Sequence, residues 1–127
     1  MRKLADRASW LYSAEHSQSS KLFMKQLTPQ ELQQALADAG LLLLDVREDW
    51  EYAQAHLPDS LHIPMGQIPS RYKELDTTQP VVVVCHHGMR SFQVAQFLEK
   101  KGFAYVSNLA GGIDAWAEQV DPSMPRY

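Results

Sequence analysis

A chain of 127 residues is long enough for one domain with a proper core, and at net charge −3 it carries no nucleic-acid footprint. Its single cysteine excludes an internal disulfide framework, and an accessible lone thiol is easiest to keep free in the reducing cytoplasm. No apolar run approaches the roughly 18 to 20 residues of a membrane helix, and Asp6, Arg7 and Glu15 argue against a signal or transit peptide.

In residues 1–24, Leu4, Ala8, Leu11 and Tyr12 have helical spacing, but His16 to Ser20 is polar and unpatterned. The segment reads as a mobile extension, with a partner-docking helix carrying Trp10 and Tyr12 as the alternative. Thr28-Pro29-Gln30-Glu31 fits a capping box with proline at the first helical position. Leu32, Leu36 and Ala39 would be the buried stripe of that helix, and Gly40 its end. Leu41 to Leu44 is short and follows a glycine, so it reads as a buried strand. Asp45-Val46-Arg47 ends it, and residues two apart share a face, so Asp45 and Arg47 leave the sheet on the same side.

Glu48 to Ala55 reads as a short helix with Trp50 and Ala53 three apart. His56 to Ser60 follows as a turn, and Leu61 to Ile63 as a short strand closed by Pro64. His56 and His62 are read as hydrogen-bonded structural histidines. Another short helix is expected within Met65 to Leu75, beginning near Ile68 or Pro69, before the polar connection Asp76 to Pro80.

Val81 to Val84 places four β-branched residues in a row, the mark of a central strand buried on both faces of a parallel sheet. Ser91 to Lys101 reads as a helix with Ser91, Val94, Ala95 and Leu98 on one stripe and Gly102 as its stop. Phe103 to Leu109 gives a last strand, and Gly111-Gly112 turns into a helix with Ile113, Trp116 and Val120 inward. Pro122 to Tyr127 is expected to fray. Strand alternates with helix throughout, so the fold class is α/β: one three-layer domain with a mainly parallel, about five-stranded sheet flanked by helices.

The chemistry concentrates at Cys85, on the loop between the valine strand and the helix behind it. Ligands of open α/β sheets bind beyond the carboxyl ends of the strands, where the next helix aims free N–H groups and its positive end. A thiol there is favoured as thiolate, and Arg90 adds a permanent cation, which makes Cys85 a candidate nucleophile. Cys85 to Arg90 spells C-x-x-x-x-R, with Gly88 where a tight loop needs positive φ. Cysteine-dependent phosphatases use a cradle one residue longer, and the shorter ring suits a smaller guest such as one extra sulfur on the cysteine.

Four motifs together, Asp45-Val46-Arg47, His56-Leu57-Pro58 with His62-Ile63-Pro64, Cys85-His86-His87-Gly88-Met89-Arg90-Ser91, and Asn108-Leu109-Ala110-Gly111-Gly112-Ile113-Asp114-Ala115-Trp116, make the chain resemble the single-domain rhodaneses, which are sulfurtransferases. The resemblance implies a domain over 25–120, between an extension at 1–24 and a tail at 121–127. It implies catalysis by Cys85 through a persulfide, with thiosulfate or a persulfide as donor and a thiol, cyanide or a protein as acceptor. His86, His87, Gly88, Met89, Arg90 and Ser91 would form the binding loop, their amides holding the sulfur and Arg90 an anionic donor. Arg47 would lie near that loop, with a structural ion pair as its alternative, and Asp45 would support the rim. No cofactor is called for. Nor is a metal, because the adjacent Cys85, His86 and His87 cannot easily turn to one ion. No nucleic-acid or membrane partner is expected, and the chain is read as a monomer. The competing readings are a persulfide carrier or docking module for a protein partner, and a phosphatase or arsenate reductase, which the six-residue loop disfavours.

Overall fold

The computed structural model describes residues 24–38 and 40–127. The extension up to residue 23, with its alternative of a docking helix, and Ala39 lie outside these residues. Met24, counted with the extension, is buried in the core instead.

Five strands form one sheet: β1 (Lys25–Leu27), β2 (Leu42–Asp45), β3 (Leu61–His62), β4 (Val81–Val84) and β5 (Val106–Leu109). They run in the order β1-β5-β4-β2-β3, and every pairing is parallel. The helices are α1 (Pro29–Ala35), α2 (Asp49–Gln54), α3 (Ile68–Arg71), α4 (Met89–Lys100) and α5 (Gly112–Gln119), with short 3-10 turns before and after α3.

The valine run lies at the centre, and its alternation builds both core layers. Val81, Val83 and Cys85 face Leu44, Ile68, Val94, Ala95 and Leu98 on the α3/α4 side. Val82 and Val84 face Leu32, Leu43, Leu109, Ile113 and Trp116 on the α1/α5 side. Cys85 therefore continues the buried face that α4 covers, one residue past the end of the strand.

The capping box at α1 forms as expected: the Thr28 N–H donates to Glu31 Oε1 at 2.9 Å, and the Glu31 N–H to Thr28 Oγ1 at 3.1 Å. The helix is shorter than its stripe predicts. It ends at Ala35, which is buried beside Leu32, while Leu36 is already the cap residue and 38 % exposed. In α2 Trp50 and Ala53, three apart, face solvent, and Glu51 is the buried residue. His56 and His62 are hydrogen-bonded as expected, to the carbonyls of Tyr52 at 2.8 Å and Arg47 at 2.7 Å, and both rings stack on Tyr52.

The C-terminal segment does not fray. Arg126 donates to both carboxylate oxygens of Asp114 at 2.9 and 3.1 Å, and the Tyr127 ring packs edge-on against Trp50 and His86.

Candidate active site

Residues 85–88 connect the central strand to α4, whose first residues are Met89 and Arg90, so the C-x-x-x-x-R segment lies at the carboxyl end of the sheet. Gly88 takes φ of 102°, and this turn brings its N–H onto Cys85 Sγ at 3.1 Å. The Ser91 hydroxyl, on the first turn of α4, lies 3.2 Å from the same sulfur. Ser91 Oγ also makes a short hydrogen bond to Asn108 Oδ1. A hydroxyl has one proton, so it serves the sulfur or the amide oxygen at any moment. Asn108 is itself held by its Nδ2 donating to Gly88 O at 3.1 Å and Gln26 Oε1 at 3.0 Å. The end of β5 thus braces both halves of the loop.

The other brace is α5. Ile113 N–H donates to Cys85 O at 2.8 Å, and Asp114 N–H to His86 O at 3.1 Å. This helix approaches the loop so closely that a Cβ on Gly112 would lie 2.3 Å from His86 O and 2.5 Å from Cys85 O. The pair Gly111-Gly112, both with positive φ, is what allows that approach.

The loop is charged but internally balanced. Arg90 donates through Nη1 to Glu51 Oε1 at 2.7 Å and through Nη2 to Glu51 Oε2 at 2.8 Å, the paired geometry of a strong ion pair. The Glu48 N–H donates to Oε1 at 2.9 Å and the Tyr127 hydroxyl to Oε2 at 2.9 Å, so all four acceptor positions of the carboxylate are filled. Arg90 above all holds the Glu51 carboxyl down at about 2, against the opposing effect of burial.

The Rhodanese-like domain family matches residues 28–119. The chain belongs to the rhodanese-like family. A sulfurtransferase of Allochromatium vinosum is 41 % identical over 95 residues, which are 74 % of this chain and 89 % of that protein. A thiosulfate sulfurtransferase of Pseudomonas syringae is 39 % identical, covering 69 % of this chain and 83 % of that one. The crystal structure of a rhodanese-like domain protein from Staphylococcus aureus superposes with a TM-score of 0.71 at 31 % identity, over 82 % of this chain and 99 % of its own.

Within this rhodanese-like domain Arg90 is held by Glu51, and the other expected site residues fall into three groups. Cys85, Gly88 and Ser91 converge on the sulfur. His87 and Met89 line one side of the loop, and His86 packs on the other, against Tyr127. Met89 is 76 % exposed and borders, with Gln26, Phe92, Asn108 and Ala110, a groove of about 440 Å³. Burial, reinforced by neighbouring His87, holds the His86 imidazole below its usual range, and its Nδ1 is buried with no hydrogen-bond partner. Arg47 forms the third group and differs from the reading that brings it to the loop. It is fully buried, and its guanidinium is committed to Asp45 at 2.7 Å, the carbonyls of Glu51 and Ala55, and the Tyr127 hydroxyl at 2.8 Å. It supports the rim from below together with Asp45.

Glu51 and Tyr127 are absent from the expected set. Glu51 lies 39 residues from Arg90 in a helix whose neighbouring tryptophan draws attention first, and no spacing rule connects them. One trio of possible metal ligands occurs among the described residues: His86, His87 and Asp114, with ligand atoms within 4.8 Å of one another. Arg126 donates to both oxygens of the Asp114 carboxylate. Among the described residues no helix is long and apolar enough to cross a membrane.

Proposed function

We propose that Cys85 is the nucleophile of a sulfurtransferase that carries sulfane sulfur as a persulfide between a small donor and a thiophilic acceptor. What supports this most is the seat of the sulfur: at the end of the central strand, with the Gly88 N–H and Ser91 Oγ at 3.1 and 3.2 Å and the first turn of α4 behind. In the first half-reaction the Cys85 thiolate attacks the outer sulfur of the donor. With thiosulfate, a new S–S bond forms to Cys85, the donor's S–S bond breaks, and its electron pair leaves with sulfite. The single negative charge stays on the persulfide. An acceptor thiolate or cyanide then attacks the outer sulfur and returns Cys85 to thiolate. The donors of Gly88, Ser91 and the first α4 turn spread the persulfide charge, as an oxyanion hole does for oxygen. No cofactor enters, and the cytoplasm suits a thiol that must stay reduced.

The balance of charge around the loop bears on the donor. Arg90 is paired with Glu51, Arg47 with Asp45 and Arg126 with Asp114. A doubly charged thiosulfate finds no uncommitted guanidinium among these three, so a persulfide of lower charge suits the loop better. The test compares kcat/KM for thiosulfate and for an alkyl persulfide, in the native chain and in Cys85→Ser. The persulfide is expected to give the higher value, and Cys85→Ser to lose both activities while keeping its far-UV spectrum. Transfer that survives in Cys85→Ser would sink the nucleophile. Cys85-dependent hydrolysis of a phosphate ester would point to phosphatase chemistry, and sulfur loading without turnover on small acceptors to a carrier.

A further inference from the structure

The Tyr127 hydroxyl sits between two charged side chains that otherwise do not meet. It accepts from Arg47 Nη1 at 2.8 Å and donates to Glu51 Oε2 at 2.9 Å. Glu51 in turn grips Arg90 of the loop with both oxygens. A continuous chain of hydrogen bonds therefore runs from the Asp45–Arg47 pair beneath the rim, through one phenol, to the last residue of C-x-x-x-x-R. The Tyr127 ring lies 4.2 Å, centroid to centroid, from His86 and 5.6 Å from Trp50, so it also covers the flank of the loop beside the cysteine.

We propose that Tyr127 is a positioning residue for sulfur transfer: its hydroxyl fixes the Glu51 carboxylate in the orientation that clamps Arg90, and its ring closes the loop on the His86 side. The role rests on the sulfurtransferase reading of Cys85. The phenol suits it because it must accept and donate at once, which a carboxylate or an amine cannot do here. Burial pushes the phenol up to about 12, with the Glu51 bond adding and Arg47 opposing, so it remains a neutral hydroxyl across the working range. Without it, Glu51 Oε2 keeps only Arg90, and the fully buried Arg47 Nη1 keeps only the 3.3 Å contact to Glu51 O. Both ends of the clamp loosen together.

Tyr127→Phe isolates the hydroxyl, since the ring still covers His86. Two readouts are taken on the full chain. The ¹⁵N heteronuclear NOE of the Arg90 Nε–H reports whether the guanidinium is held, independently of any sulfur chemistry. The rate of persulfide formation from an alkyl persulfide, followed by mass spectrometry, reports the consequence. In Tyr127→Phe the Arg90 NOE is expected to fall toward that of a free side chain, with persulfide formation slowed about five- to tenfold, the order of one net hydrogen bond. Glu51→Gln, which weakens the clamp from its other side, is expected to move both readouts the same way. An Arg90 NOE unchanged in Tyr127→Phe would overturn the proposal, as would a lost NOE with an unchanged rate. Native protein that forms no persulfide would refute the sulfurtransferase reading, and with it the catalytic part of this role, while the NOE still decides whether Tyr127 holds Arg90.

Discussion

Arg47 and Arg90 show how much a single side chain's role depends on its partners. Both belong to the motifs that carry the resemblance, and both are matched by carboxylates, Asp45 and Glu51. Arg47 is buried completely, so Arg47→Ala strands the Asp45 carboxylate in the core. Breaking a buried pair from one side costs about 3–5 kcal/mol. Urea unfolding should show a loss of that order, whereas a substrate-binding arginine would change KM and leave the urea midpoint in place. For Glu51 the sign follows from its depressed ionisation, about 2 in the fold against the usual 4.5. The unfolded chain takes up the proton first as pH falls, so this carboxylate's contribution is complete above pH 4.5 and is lost between 4.5 and about 2. The stability difference between the native chain and Glu51→Gln should be constant above pH 4.5 and shrink below it. A difference that grows on acidification would contradict the clamp.

At the scale of elements, legibility in the sequence tracked the strength of the local pattern. The four valines, the Thr28 capping box and the Ser91-Val94-Ala95-Leu98 stripe each encode their own structure, and the fold keeps all three. β1 was not legible, because Lys25-Gln26-Leu27 has no alternation and becomes a strand only by pairing with Ser107 to Leu109. The buried face of α2 has a similar cause: Glu51 is buried because Arg90 and Tyr127 reach it, and neither adjoins it in sequence. The C-terminal segment read as frayed because its prolines and polar residues carry no period, yet the side chains of Asp114, Arg47 and Glu51 hold it and Met124 packs on the core. The glycine pair that opens α5 was legible as a turn, while its second duty was not. Gly112 lets the helix N-terminus touch the carbonyls of Cys85 and His86. Gly112→Ala should destabilise the fold by at least about 1–2 kcal/mol from the left-handed backbone alone, and slow reactions at Cys85 further by pushing the loop away. An unchanged urea midpoint would show that α5 does not brace the loop.

Across the whole molecule, the parallel sheet brings every recognisable motif to one rim. β2 delivers Asp45 and Arg47, β4 delivers Cys85, β5 delivers Asn108, and α5 closes over them. Besides the α5 amides, two brackets hold the loop, one of neutral hydrogen bonds through Asn108 and Ser91, the other of charges through Glu51 and Tyr127. Between them lies a sulfur with the Gly88 N–H at 3.1 Å and Ser91 Oγ at 3.2 Å. The most direct test is the intact mass of the reduced protein after incubation with a sulfane donor, an alkyl persulfide or thiosulfate, and again after cyanide. The native chain should gain the mass of one sulfur that cyanide removes, and Cys85→Ser should gain none. A folded, reduced protein that takes up no sulfur from either donor, or a Cys85→Ser variant that takes it up equally, would contradict the persulfide account.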